Sequence, residues 1–219
     1  MSIRENFENN LEEVNRKITE MGEQTIVALE RAFKALKTQD VEIALKVIEG
    51  DTAIDNLEKD INEFAIWLVA KEAPISRDLR EIISVLKIST EIERVADFAV
   101  NIAKATIKIG NTKSLLEITH LEKMKELSIE MLRKALQSFL DENILLAIEV
   151  GDLEDEVDEY SSETYKKLTT YLSDHPEETN QLVQLLFVNR FLERTADHIT
   201  NIAESTAYLI KGQIYDFNS

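Results

Sequence analysis

The chain has 219 residues with 42 acidic and 25 basic side chains, a formal net charge of -17. That balance disfavours nucleic acid and anionic lipid as partners, because their phosphates would be repelled. Cysteine is absent, which excludes disulfides, thiolate metal sites and cysteine nucleophiles.

Hydrophobic residues make up 44% of the chain, enough for a sizeable core, and only 5 Gly and 2 Pro interrupt it. So few breakers predict a small number of long helices in an all-α protein. The N-terminus shows no secretory pattern, and the longest apolar run, Phe64 to Ala70, is far short of a membrane span. A soluble, cytoplasmic protein with no membrane insertion is therefore expected.

In chain order, Ile3, Phe7, Leu11, Val14 and Ile18 open an apolar stripe at intervals of three and four that runs on to Leu36, predicting one long helix. Gly22 lies inside it and allows a bend. Asp40 is the expected N-cap of a second helix from about Val41 to Lys71. Ala73-Pro74 ends that helix, since the residue before proline is biased away from the α region. Trp67 sits among apolar neighbours and is expected in the core. Ser76 is the expected cap of a third helix that stops at Gly110.

Asn111 to Thr119 is the loosest stretch, and beyond it the pattern restarts. Ala32, Asp40, Ala44, Val47, Asp51 and Asp55 have counterparts 103 positions on, at Ala135, Asn143, Ala147, Val150, Glu154 and Asp158. Pro74 corresponds to Pro176 and Gly110 to Gly212. The chain thus reads as an internal duplication, two tandem pseudo-symmetric three-helix bundles over 1–112 and 113–219 with six long helices.

The stretch that the duplication preserves best is Glu93-Arg94-Val95-Ala96-Asp97-Phe98-Ala99-Val100-Asn101-Ile102-Ala103. It returns as Glu193-Arg194-Thr195-Ala196-Asp197-His198-Ile199-Thr200-Asn201-Ile202-Ala203. Glu, Asp and Asn follow one another at i, i+4 and i+8, so three oxygen-bearing side chains climb one helix face. With Leu86 as reference, Leu79, Ile82, Glu93, Asp97 and Val100 fall within about 40° of one direction. The carboxylates therefore continue an apolar stripe. Buried there unpaired, they would pair, protonate or bind a cation.

Two more acidic pairs share the spacing, Asp51 with Asp55 on the second predicted helix and Glu154 with Asp158 on the fifth. Four carboxylates converging from two antiparallel helices make a hard, oxygen-rich site suited to iron, manganese, magnesium, calcium or zinc. The other reading of these pairs is a solvated acidic face, and Arg94 and Arg194 can instead pair with the ladders as purely structural networks. Asn101 and Asn201 read as helix–helix hydrogen-bonding residues. Glu117-x-x-His120 fits half of a di-iron signature but occurs once, so chance explains it better. No phosphate-binding glycine loop, nucleotide fingerprint or Ser-His-Asp arrangement is present.

The duplicated Glu-Arg-x-Ala-Asp-x-x-x-Asn-Ile-Ala, the stretch Pro74-Ile75-Ser76-Arg77-Asp78-Leu79-Arg80, and Asp51-x-x-Ile54-Asp55-x-Leu57 together resemble the PhoU family. The resemblance covers essentially the whole chain. It implies two three-helix bundles in a cytoplasmic regulator that is not an enzyme. Such a protein negatively regulates phosphate uptake and phosphate-starvation signalling, working with the ATPase subunit of a phosphate ABC transporter and with a sensor histidine kinase. It also implies iron or zinc, in a multinuclear cluster, on Glu93, Asp97, Glu193, Asp197, Asp51 and Asp55. Glu154 and Asp158 match less cleanly, because Asp155 and Glu159 offer the same spacing one residue over. The second copy has Glu177-Glu178-Thr179-Asn180 where the first has Arg77-Asp78-Leu79-Arg80. A homodimer is expected of so long-helixed and apolar a protein. A carboxylate-bridged di-metal oxidase and a metal-free helical adaptor are the alternatives.

Overall fold

The computed structural model describes residues 3–110 and 113–217. Its helices are α1 (Ile3–Thr38), α2 (Val41–Glu72), α3 (Ser76–Ile109), the short α4 (Lys113–Glu117), α5 (Leu121–Leu140), α6 (Ile144–Asp174) and α7 (Thr179–Lys211). A single 3-10 turn, Pro176–Glu178, precedes α7. No strand occurs among the described residues. Six long helices are as the sequence predicts; α4 is the addition. The expected boundary between halves falls at residue 112, outside the described residues.

Local chemistry sets the helix ends, and it does so twice. The Asp40 carboxylate accepts from the Ile43 amide at 3.1 Å, and the Asn143 side chain accepts from the Leu145 amide at 3.0 Å. Each side-chain oxygen satisfies one of the orphan amides of a first turn. The residue before each cap, Gln39 or Glu142, is left-handed (φ 58° and 49°). The next amide then reaches back five residues, Asp40 to the Ala35 carbonyl and Asn143 to the Ser138 carbonyl, closing the preceding helix with a Schellman bond. Ala73 ends α2 with the simpler cap: it is left-handed and its own amide bonds to the Val69 carbonyl, while Pro74 has no N–H for a Schellman bond.

Two expectations are corrected here. Ser76 does not cap α3: it is already the first helical residue, with φ 52°, and Ile75 takes the extended cap position and offers no side-chain acceptor. Trp67 is not core. It is 43% exposed, stacked on Phe64 at 5.3 Å with the Lys71 ammonium 4.4 Å from its ring. The α2 stripe that faces the core is Ile54, Ile61, Ala65 and Leu68, and Trp67 lies off that face.

Helices α1, α2 and α3 pack into one three-helix layer and α5, α6 and α7 into another; α3 against α7 and α1 against α5 join the two around one contiguous apolar core. α1 passes Gly22 without interruption. A side chain there would collide with a Leu136 methyl of α5, so this glycine lets two helices approach closely; it does not mark a bend. α3 and α7 run antiparallel. Ser84 donates to the Ser205 carbonyl at 3.1 Å, Glu91 meets His198, and Phe98 stacks on Phe191 at 6.0 Å. Each step of seven residues along α3 is a step of seven back along α7, which brings the middles of the two motif copies side by side.

Candidate metal centre

The two motif copies, 93–103 and 193–203, with the two residues before each, share one burial pattern residue by residue. In both, Glu and Asp are half-buried, the following Arg or the residue between them faces outward or inward alike, and the flanking aliphatic positions are buried. The ladders thus run along the flank of the core, where α3 meets α2 and where α7 meets α6.

In the first channel Asp51 and Asp55 of α2 face Glu93 and Asp97 of α3. The Asp51 carboxyl is pushed up to about 6, first by burial and then by the charges of Asp55 and Asp97, with Lys104 opposing. Glu93 is raised by burial and by Asp97, while Arg94 opposes. Arg94 draws on both ladder carboxylates, at 3.6 Å from Glu93 and 3.3 Å from Asp97.

In the second channel Glu154 and Asp158 of α6 face Glu193 and Asp197 of α7. Glu154 is only 6% exposed, whereas Asp155, Asp158 and Glu159 are all exposed; burial singles out Glu154, and Asp158 joins it by proximity, with one oxygen near those of Glu154 and Asp197. Burial and then the Asp158 charge push Glu154 up to about 7. Asp158 and Asp197 are raised as well, again by burial first. One oxygen from each of Glu154, Asp158 and Asp197 lies within 4.8 Å of the others. Oxygens on opposite sides of an ion at about 2.4 Å are about 4.8 Å apart, so this trio could hold a single cation, drawn closer together for a smaller ion. It is an all-oxygen donor set of three acids whose own repulsion disfavours the charged state.

No second trio of this kind forms among the described residues, and the difference between the channels is written in the duplication. Arg190 pairs closely with Glu193, and Arg194 stands 3.8 Å from Asp197. The counterpart of Arg190 is Thr90, whose hydroxyl instead donates to Glu58 at 3.1 Å. Glu58, one turn beyond Asp55, also takes a bond from Asn62 at 2.9 Å. In the second half the same place holds Ser161, which donates to Glu193 at 2.9 Å and accepts from Asn189 at the same distance. Glu58, Arg190 and Ser161 were missed by sequence reasoning; the i+3 spacing from Asp55 is the one signal that pointed to Glu58. Asn201 donates to Glu91 at 3.2 Å, the helix–helix role expected of it. His120 faces Glu163 at 2.8 Å and Lys167 on α6 and joins neither channel.

Fold and site together define a class: a duplicated all-helical scaffold carrying half-buried acidic channels, in which no described helix is long and apolar enough to cross a membrane. The PhoU domain model matches residues 18–106 and 121–206, once per half. The PhoU homolog of Clostridium acetobutylicum, a phosphate-specific transport system accessory protein, is 35% identical over 97% of each chain. That of Aquifex aeolicus is 36% identical over 93% of this chain and 92% of its own. The crystal structure of the phosphate transport system regulatory protein PhoU from Streptococcus pneumoniae superposes with a TM-score of 0.90 at 29% identity, covering 96% of this chain and 99% of that one. PhoU from Pseudomonas aeruginosa follows at 0.86 and 28%, over 94% of this chain and all of its own. The chain belongs to the PhoU family.

Proposed function

We propose that this protein is a cytoplasmic regulatory adaptor of phosphate transport, and that it works by docking and carries out no catalysis. It restrains phosphate uptake and phosphate-starvation signalling through the ATPase subunit of a phosphate ABC transporter and a sensor histidine kinase, acting as a homodimer. The names of its relatives, phosphate transport system accessory and regulatory proteins, support the phosphate role. The observation that carries the rest is the convergence of Glu154, Asp158 and Asp197 from two helices.

Glu154, Asp158 and Asp197 hold an iron or zinc ion in the second channel, and Asp51, Asp55, Glu93 and Asp97 form the corresponding set in the first. A bound ion supplies the positive charge that allows neighbouring carboxylates to ionise together. The chain's own part is to pin α6 to α7, and α2 to α3, through side chains already turned toward one another. That fixes the outer faces of α2 and α6 as docking surfaces.

A chromosomal E93A/D97A/E193A/D197A replacement tests the reading. It should express phosphate-starvation genes in phosphate-replete medium and lose retention of the transporter's ATPase subunit in a pull-down. Normal repression with normal retention would sink the role of the ladders.

A further inference from the structure

Comparing the two halves position by position exposes a groove that only the first half has reason to leave open. It lies between α1 and α2, has a volume of about 420 Å³, and is lined by Val27, Arg31, Lys46, Gly50 and Ala53 among others. The offset of 103 that aligns the caps Asp40 and Asn143 carries these residues onto Glu130, Lys134, Glu149, Leu153 and Glu156.

In the second half those positions complete one another. The Lys134 ammonium stands 2.6 Å from Glu149 and 3.8 Å from Glu130, and Leu153, one turn beyond Glu149, packs against the core. In the first half both carboxylates are gone, replaced by Lys46 and Val27, and the leucine is replaced by glycine. A Cβ built on Gly50 meets nothing within 4 Å. Arg31 and Lys46 have no ion-pair or hydrogen-bond partner among the described residues. Glu23, the acid on the groove, faces Arg133 at 3.9 Å. Two exposed, unpaired cations beside an apolar hollow are a local reversal of sign in a chain of net charge -17.

We infer that this groove receives a helix of a partner protein that presents a leucine-sized side chain and a carboxylate one turn apart. The apolar side chain fills the space over Gly50, as Leu153 fills its own half. The carboxylate sits between Arg31 and Lys46, as Glu149 and Glu130 flank Lys134. Helix-in-groove recognition reads side chains at this i, i+4 spacing, and charge complementarity selects acidic over basic helices. The inference rests on the adaptor reading but not on metal in the channels.

The probe is a stapled, alanine-based helix of about four turns with Glu four residues before Leu, titrated into the full-length protein by fluorescence anisotropy. Saturable binding is expected, at least about tenfold weaker when the peptide's Glu is Lys or its Leu is Ser. Gly50→Leu and Lys46→Glu restore the second half's pattern and should each cost at least about tenfold in affinity. Both should keep the metal content of the parent and a melting temperature no lower, since neither replaces a channel carboxylate and Gly50→Leu adds a better helix former. Absent saturable binding, or binding unchanged in the Gly50→Leu/Lys46→Glu double variant, would overturn the inference. So would self-association of the free chain that Gly50→Leu abolishes, because the occupant would then be a second copy. Unaltered metal content in the variants keeps any such failure separate from failure of the metal reading.

Discussion

Glu91 of α3 and His198 of α7 meet at 2.6 Å, Oε2 to Nδ1, both largely shielded from water. Against a carboxylate, Nδ1 must be the donor. Asn201 donates to the same oxygen at 3.2 Å, and the Phe98 ring lies 5.6 Å from the imidazole. Phe98 and His198 occupy the same place in the two motif copies, so the duplication has diverged at the point where its halves touch. Phe98 continues the apolar packing onto Phe191, while His198 reaches across to an acid. A double-mutant cycle on Glu91→Gln and His198→Phe, followed by urea denaturation, should give a coupling of about 1 kcal/mol. Additive single effects would mean the pair is incidental to the joining of the halves.

Gly22 and Leu136 form a second junction. Gly22→Val should destabilise by about 1–3 kcal/mol, because the added side chain forces the buried Leu136 methyl to shift. In a Leu136→Ala background the obstruction is gone, and Gly22→Ala should then stabilise by about 1 kcal/mol through helix propensity alone. Thermal melts of the four proteins check both signs.

The raised carboxyls of Asp51, to about 6, and Glu154, to about 7, predict an uncommon pH response. Their folded pKa values exceed the unfolded ones of about 4, so the native state holds more protons than the unfolded chain between about pH 4 and 7. Stability gained this way is fully present below pH 4 and is lost as pH rises through 6 and 7. The metal-free protein should therefore melt at a higher temperature at pH 5.5 than at pH 8. Glu154→Gln should flatten the dependence and raise stability at pH 8 by roughly 2 kcal/mol, since a neutral side chain removes the repulsion at its source.

Much of this architecture was legible beforehand, and for local reasons. Asp40 begins a helix and Ala73-Pro74 and Gly110 end helices through chemistry confined to a few residues, and the 103-residue offset set Asn143 in the place of Asp40. The i, i+4 spacing also placed Glu93 with Asp97 and Glu193 with Asp197 on their shared faces. What a single helix cannot disclose is which neighbour covers each face. Trp67 read as core because its sequence neighbours are apolar, yet it stands off the buried stripe of α2 and is 43% exposed. The inequality of the two channels was hidden as well: Arg190 and Thr90, outside the motif, take different partners, Glu193 and Glu58, that show only once α7 is laid on α6 and α3 on α2. Gly22 read as a bend because Leu136 is distant in sequence.

The most direct test of the account is metal analysis of the purified protein, by mass spectrometry of the bound ions, beside the E93A/D97A/E193A/D197A variant. Loading with iron, zinc or manganese at pH 7.5 should leave at least one equivalent per chain on the parent, raise its melting temperature by mass action, and leave the variant empty at an unchanged helix content. No retained ion on the parent after reconstitution, or equal retention by both proteins, would contradict it and leave the ladders as hydrogen-bonded joints between helices.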